Sequence, residues 1–241
     1  MDREYLEKLQ TAKYIDSAVI PDLVKLLGDS ELRYNAAIAL GHALNYQPNG
    51  IQLVREALAY SRIEIQYYLI LAIRYMEDNI LALVPDLISF LDSKSDRIRE
   101  IAANTLGETK DTRSTFKLLE LMCSDPSENV RYYAMHALGD IKDTETIKPL
   151  ISLISQQNGE TCMYAIHVLG KMHTEAKEAI PFIFPYLQDE NEKMVAIAAT
   201  ALGNMGDQRA LIILEKIAKS TSPSFMLSAK KALQNLKSRI L

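Results

Sequence analysis

Residues Asn129–Asp143, with the sequence NVRYYAMHALGDIKD, contain the pattern that decides the fold of the chain. The apolar residues of this stretch follow the three- and four-residue spacing of one helix face, at Val130, Ala134, Ala137, Leu138 and Ile141. Gly139 and the mostly polar residues Asp140–Asp143 follow and indicate a helix end and a turn. The stretch therefore predicts one amphipathic helix and a short polar connection.

Variants of this stretch recur along nearly the whole chain, and a Leu-Gly pair marks most copies. The pairs begin at Leu40, Leu106, Leu138, Leu169 and Leu202, with spacings of 66, 32, 31 and 33 residues. The first spacing is a double period that contains a divergent copy centred on Ile73. A seventh copy fits at Leu233, where Gln234 replaces the glycine. A constant period between about 20 and 50 residues is typical of a repeat array.

Each period predicts a pair of helices, and stacked pairs share one continuous core that grows with every repeat. We therefore predict an all-α protein, a right-handed superhelix of about seven helical hairpins that occupies residues 1–241 as one domain. Residues 1–15 are expected to form a polar N-terminal cap. The predicted repeats cover about 16–44, 51–77, 80–109, 112–142, 144–173, 175–205 and 208–238.

Prolines lie near the start of the first helix in four of these repeats, at Pro21, Pro85, Pro149 and Pro181. Proline is tolerated in the first turn, where no intrahelical N–H bond is lost, but it bends a helix at later positions. Each proline therefore predicts either a late helix start or a kink. Pro185 is a second proline in the sixth repeat and predicts a distorted helix there.

We number the residues of each repeat from the leucine of its Leu-Gly pair, or from Ile73 and Leu233 in the two repeats without the pair, as position zero. This numbering separates buried positions from exposed ones. Position −4 holds alanine in six repeats and Leu69 in the second repeat. Positions −8 and +3 are mostly apolar as well, and together the three positions predict the packing stripe. The small side chain at −4 is expected to let the helices of adjacent repeats approach closely.

The composition of the chain argues against some classes of function and favours one cellular compartment. The chain has 27 basic and 31 acidic residues, interspersed, and a net charge of −4, which disfavours a nucleic-acid binder with a basic face. Cys123 and Cys162 lie on separate predicted helices and indicate a reducing compartment. No apolar run is long enough to span a membrane, and the N-terminal residues are charged, which predicts a cytoplasmic protein.

The fourth repeat resembles the short HEAT-like repeats named after phycobilisome lyases. It matches their pattern at Asp125, Val130, Arg131, Ala134, Ala137, Leu138, Gly139, Ile141 and Asp143. Arg33 and Arg99 occupy the slot of Arg131 in two other repeats, whereas the remaining repeats depart there. The resemblance covers about residues 16–238. It implies an α-solenoid fold, but the family includes scaffolds, bilin lyases and other enzymes, so it does not fix the function.

The resemblance implies that the second helix of each repeat lines the concave surface, where such proteins bind partners. Its exposed positions should be −6, −2 and +2, which share one face at four-residue spacing. The candidate partner-binding residues on this face are Tyr34, Tyr67, Tyr75, Glu100, Asn104, Glu108, Tyr132, His136, Asp140, His167 and Lys171. Tyrosine offers a large contact area and a hydroxyl group, which suits a protein or peptide partner, although such rings also pack between helices.

His136, Asp140 and His167, with Glu108, also suggest a metal site. Adjacent repeats lie roughly 10 Å apart, which is long for shared coordination of one ion. No nucleophile or phosphate-binding motif occurs, and both cysteines are flanked by apolar residues. We therefore predict no metal, no cofactor and no catalytic residues.

The sequence favours a non-enzymatic module that binds another protein or peptide in its concave groove. Glu100, Glu108 and Asp140 favour a basic segment of that partner. The alternative is an enzyme similar to bilin lyases that binds a tetrapyrrole in the same groove, since tyrosine and histidine rings can stack against it. Nucleic acid and membrane partners are not expected.

Overall fold

The computed structural model describes residues 1–12, 15–156, 159–219 and 223–240. Within these ranges the protein consists of α-helices joined by short 3₁₀ turns and loops, without a β-strand. The predicted all-α class is therefore confirmed. Residues 13–14 of the predicted cap, 157–158 and 220–222 of the fifth and seventh predicted repeats, and residue 241 lie outside the described residues.

An N-terminal helix, α1 (Arg3–Gln10), precedes seven helix pairs. The first helices of the pairs are α2 (Ile20–Leu26), α4 (Gly50–Tyr60), α6 (Val84–Phe90), α8 (Thr115–Ser124), α10 (Ile147–Gln156), α12 (Ile180–Ile183) and α14 (Leu211–Ile217). The second helices are α3 (Arg33–Asn45), α5 (Ile63–Ile73), α7 (Asp96–Thr109), α9 (Glu128–Ile141), α11 (Glu160–Lys171), α13 (Glu192–Met205) and α15 (Pro223–Ile240).

The helices stack as a solenoid. Each first helix packs against its own second helix, and each second helix packs against the second helix of the next pair, from α3 through to α15. The alanines at position −4, Ala36 to Ala229, and Leu69 are buried between these layers. Helix α1 packs against α3 and buries Leu6 and Leu9, so the chain covers the first layer of the stack.

The glycine of the Leu-Gly pair has a different role from the one that the sequence pattern suggests. Gly139 lies inside α9, which continues to Ile141, and Lys142 adopts the left-handed backbone conformation that ends the helix. A methyl group on Gly107 would lie 2.7 Å from Cα of Ala137 on the next layer. Gly107 is therefore required for close packing of α7 against α9 rather than for the turn.

Aspartates or prolines lie at the start of most of the first helices. Asp111, Asp143 and Asp207 accept a hydrogen bond from the backbone N–H two residues ahead and so cap a 3₁₀ turn. Pro85 lies in the first turn of α6, which follows a 3₁₀ segment without such a cap. Pro185 lies in a 3₁₀ segment that follows the short α12, which confirms the predicted distortion.

No helix among the described residues is long and apolar enough to cross a membrane.

Candidate functional site

A cavity of about 520 Å³ opens on the second helices α9, α11 and α13. We call it the aromatic cavity. It is lined by Glu128, Tyr132, Met135, His136, Glu160, Met163, Tyr164, His167, Gly170, Lys171, Lys193, Ala196, Ile197, Thr200, Ala201 and Asn204. Four predicted site residues, Tyr132, His136, His167 and Lys171, therefore come together in one hollow.

Side-chain size along position −6 explains why the surface is hollow here. This position holds Tyr132 on α9, Met163 on α11 and Ala196 on α13. Tyr132 is 47% exposed and forms one wall, whereas Ala196 is 5% exposed and forms part of the floor. The decrease in side-chain volume over three repeats therefore opens a concave, largely apolar surface next to an exposed ring.

Three rings form a continuous row in this cavity. The Tyr132 and His136 ring centroids are 4.4 Å apart, and those of His136 and His167 are 5.5 Å apart, both with edge-on geometry. The histidine rings are thus closer than the roughly 10 Å expected from the separation of adjacent helices. The long side chains account for this difference because they extend toward each other across the gap between α9 and α11.

Burial disfavours the charged form of both histidines. Desolvation, with a smaller effect of the Lys171 charge, lowers the pKa of His136 below its usual value. Desolvation, His136 and Lys171 lower the pKa of His167 to about 4. The buried Nε2 atom of His167 has no hydrogen-bond partner among the described residues. This nitrogen can accept or donate one hydrogen bond, depending on the tautomer.

Two of the three acids predicted to attract a basic partner form ion pairs within the protein. Glu108 binds the guanidinium group of Arg74 on the preceding layer. Asp140 accepts a hydrogen bond of 2.6 Å from Nζ of Lys171. Their negative charge is therefore largely compensated. Among the described residues, no group of three or more His, Cys, Asp or Glu side chains is placed to hold a metal ion.

The remaining predicted residues lie at other places along the solenoid. Tyr34 is 54% exposed, and desolvation and the nearby Tyr34 raise the pKa of Tyr75. The Tyr67 ring packs edge-on against Tyr68, at 5.0 Å between centroids. These N-terminal tyrosines thus contact neighbouring side chains. The half-buried Glu100 and Asn104 on α7 do not line the aromatic cavity.

Several cavity residues were not selected from the sequence. Met163, Ala196, Thr200 and Asn204 belong to the predicted face, but, unlike most of the selected residues, none of them is aromatic or charged. Tyr164 and Lys193 lie at other positions of their helices. The informative signal is the alanine at position −6 of the sixth repeat, because a small residue in a tyrosine slot indicates a depression.

Comparisons with known proteins agree with this architecture. A family model for HEAT repeats matches residues 115–177 and 157–234. The X-ray structure of YibA of E. coli is 21% identical, with a TM-score of 0.59, over 100% of this chain and 91% of that one. The complex of CpcE and CpcF of phycocyanin lyase from Nostoc sp. PCC7120 is 19% identical, with a TM-score of 0.53, over 96% and 97%. No curated protein sequence matches the chain.

Proposed function

We propose that this HEAT-repeat protein is a binding module that holds a segment of a partner protein in the aromatic cavity. The observation that carries the proposal is the row of rings from Tyr132 to His167, which lies beside an apolar hollow built by three repeats. HEAT-like solenoids often serve as interaction scaffolds, which agrees with this use of the concave surface.

The chemistry of the cavity suits an extended peptide. Its volume of about 520 Å³ is within the range of ligand sites and accommodates a few side chains rather than a folded domain. Met135 and Met163 offer flexible, polarisable contacts that adapt to different apolar groups. The exposed Tyr132 combines a large apolar face with a hydroxyl group, as residues at interface centres commonly do.

His167 supports binding over simple packing of the rings. A buried nitrogen without a hydrogen bond destabilises a protein by roughly 1–3 kcal/mol. A ligand group that reaches this nitrogen removes that penalty, so binding and hydrogen bonding reinforce each other. His136, in edge-on contact with both neighbouring rings, holds the ring of His167 next to the cavity.

Site-specific photocrosslinking tests the proposal. A photoreactive phenylalanine derivative replaces Tyr132 in one variant and Tyr46 in a control, because Tyr46 is similarly exposed (49%) but lies between α3 and α4. In lysate of the source cells, we expect a covalent protein adduct at position 132 and none at position 46. The His136→Ala and His167→Ala exchanges in the same variant should reduce the adduct. Equal adducts at both positions, or none at position 132, would reject the proposal.

Tetrapyrrole binding by a lyase-like enzyme is the second candidate. One observation favours it: the rings of the aromatic cavity lie beside Lys193, whose ammonium group can pair with a carboxylate of such a ligand. The test is to mix the protein with an open-chain tetrapyrrole and record its absorption spectrum. A spectral shift that disappears in the Tyr132→Ala/His136→Ala variant would support this candidate, and an unchanged spectrum would exclude it.

A further inference from the structure

A second hollow, of about 650 Å³, adjoins the aromatic cavity at the C-terminal ends of α7, α9 and α11. We call it the cationic cleft. Four lysines line it: Lys110, Lys142, Lys171 and Lys231. We infer that the partner segment is acidic and runs from the aromatic cavity through this cleft. This inference rests on the proposed function and specifies the chemistry of the partner.

The cleft has an excess of positive charge. Its two acids, Glu108 and Asp140, are already paired with Arg74 and with Lys171 of the cleft itself. Lys110, Lys142 and Lys231 form no ion pair with any other described residue. Three uncompensated ammonium groups therefore face one concave surface, where the positive potential is stronger than around isolated lysines.

The fold fixes the positions of these lysines. Lys110 and Lys142 both have the left-handed backbone conformation after α7 and α9, with φ of 55° and 56°. They are equivalent residues of adjacent repeats, so their backbone positions repeat at about the 8–10 Å separation of packed helices. A chain in the polyproline II conformation advances about 3.1 Å per residue with three residues per turn, so acidic residues at every third position share one face and match this separation.

The negative end of a helix dipole attracts cations and offers a simpler explanation for a lysine after a helix. That explanation covers Lys110 and Lys142 but not Lys231, which lies within α15. Lys231 reaches the same cleft from a different layer of the solenoid. Convergence of lysines from three separate helices therefore indicates an anionic ligand.

The two hollows form one path. His167, Lys171, Thr200 and Asn204 line both the aromatic cavity and the cationic cleft. A single extended segment can thus place an apolar or aromatic residue against Tyr132 and its acidic residues against the lysines. A nucleic acid fits less well, because it carries a negative charge at every nucleotide and the chain as a whole is negative.

Three labelled peptides test the inference by fluorescence anisotropy with the full chain. Each has about twelve residues with tyrosine and leucine near one end, and glutamate, glutamine or lysine at every third position, the spacing of one face of a polyproline II helix. We expect the glutamate peptide to bind about tenfold more tightly than the glutamine peptide, and the lysine peptide to bind most weakly. The difference should shrink as salt is raised.

Two triple variants locate the effect. Lys110→Gln/Lys142→Gln/Lys231→Gln removes the free charges of the cleft, and Lys25→Gln/Lys148→Gln/Lys177→Gln removes three exposed lysines elsewhere. We expect the cleft variant to lose most of the preference for the glutamate peptide and the control to stay within about twofold of the original affinity. Melting curves establish that both variants are folded.

Four outcomes would overturn the inference. They are equal binding of the glutamate and glutamine peptides, an unchanged preference in the cleft variant, an equal loss in the control variant, and competition by a single-stranded oligonucleotide at the same concentration as the peptide. If the cleft variant still forms the Tyr132 adduct with a non-acidic segment, the inference fails and the proposed function stands. If position 132 captures nothing, the proposed function fails, and the inference fails with it.

Discussion

The α7–α9 junction and the α9–α11 junction use equivalent sequence positions, yet the first is closed and the second is open. At the closed junction, a methyl group on Gly107 would meet the backbone of Ala137 at 2.7 Å. At the open junction, a methyl group on Gly139 would meet the Lys171 side chain instead, at 2.6 Å from Cδ. The residue equivalent to Ala137 is the larger Val168. One substitution within the repeat pattern therefore accompanies the opening of the aromatic cavity.

The arginine at position −7 of the third and fourth repeats shows the same contrast between a closed and an open junction. Arg99 makes two hydrogen bonds of 2.8 Å to the Asp125 carboxylate, and the side chains are only 11% and 3% exposed. Arg131 pairs with Glu160 at 2.8 Å, with exposures of 24% and 35%. The same residue type therefore stabilises a buried contact at the closed junction and a solvated contact at the open one. Ion pairs of these two kinds differ in how much their loss destabilises a protein.

The largest difference between the junctions should appear when each arginine is truncated. Arg99→Ala leaves the Asp125 carboxylate buried without its guanidinium partner, and we expect the free energy of unfolding to fall by about 3 kcal/mol. Arg131→Ala exposes a carboxylate that water already reaches, and the expected loss is about 1 kcal/mol. Urea denaturation of the two variants measures both values. Equal losses would show that the two junctions do not differ in burial.

Glycine substitutions test the closeness of the helices directly. Gly107→Ala places a methyl group against the Ala137 backbone, which cannot move without shifting α9, and should destabilise the protein by about 2 kcal/mol. Gly139→Ala requires only that the flexible Lys171 side chain moves. The gain in helix propensity offsets this movement, so we expect a change within about 1 kcal/mol. A larger loss for Gly139→Ala than for Gly107→Ala in thermal unfolding would reverse the proposed order.

Acid should weaken the open junction. His167 has a folded-state pKa of about 4, lowered by burial, His136 and Lys171, while Asp140 acts in the opposite direction. Because the unfolded histidine binds its proton near pH 6.5, the free energy of unfolding decreases as pH falls from 6.5 toward 4. At the closed junction the residues at this position are Asn104 and His136, so that junction has one histidine where the open junction has two.

The effect of His167 is measured by urea denaturation at pH 7.5 and pH 5. His167→Gln should lose about 1–2 kcal/mol less than the original protein over this interval. His42→Gln, on α3 and outside the cavity, serves as the matched control. Identical pH dependence in the original protein and His167→Gln would contradict the assignment of this proton to His167.

The same two junctions show how far the sequence determines the structure. The repeat period predicts the helix pairs because apolar spacing fixes which helix face is buried. Except for Asp140, the residues at positions −6, −2 and +2 of the fourth to sixth repeats line the aromatic cavity. Ion pairs such as Asp140–Lys171, however, cross between repeats. A periodic pattern describes one repeat at a time, so it cannot indicate which charges compensate each other between layers.

The cavity itself depends on a difference between repeats rather than on the pattern that they share. Val168 and Ala196 both fit the apolar or small character expected of their helices, and neither attracts attention in a search for aromatic or charged groups. Val168 is buried between the helices, whereas the small Ala196 leaves space on the surface. Departures in side-chain volume along equivalent positions are therefore the feature by which such cavities can be sought in other solenoids.

The smallest predicted change in stability concerns the lysines that end α7 and α9, and it should be similar at both junctions. Lys110 and Lys142 have left-handed backbone conformations in which a side chain is unfavourable, whereas Gly206 occupies the equivalent place after α13. Replacing either lysine with glycine should raise the free energy of unfolding by about 0.5–1 kcal/mol. Lys142→Ala, which removes the charge but keeps a side chain, should give no such gain.

A lysine that is retained where glycine would be more stable is consistent with a role for its charge. Lys142→Gly should therefore stabilise the protein and at the same time weaken binding of the glutamate peptide, by about two- to threefold for one exposed charge. Lys142→Ala should weaken binding equally without the gain in stability. Unchanged peptide binding in both variants would mean that the left-handed lysine serves only the helix end.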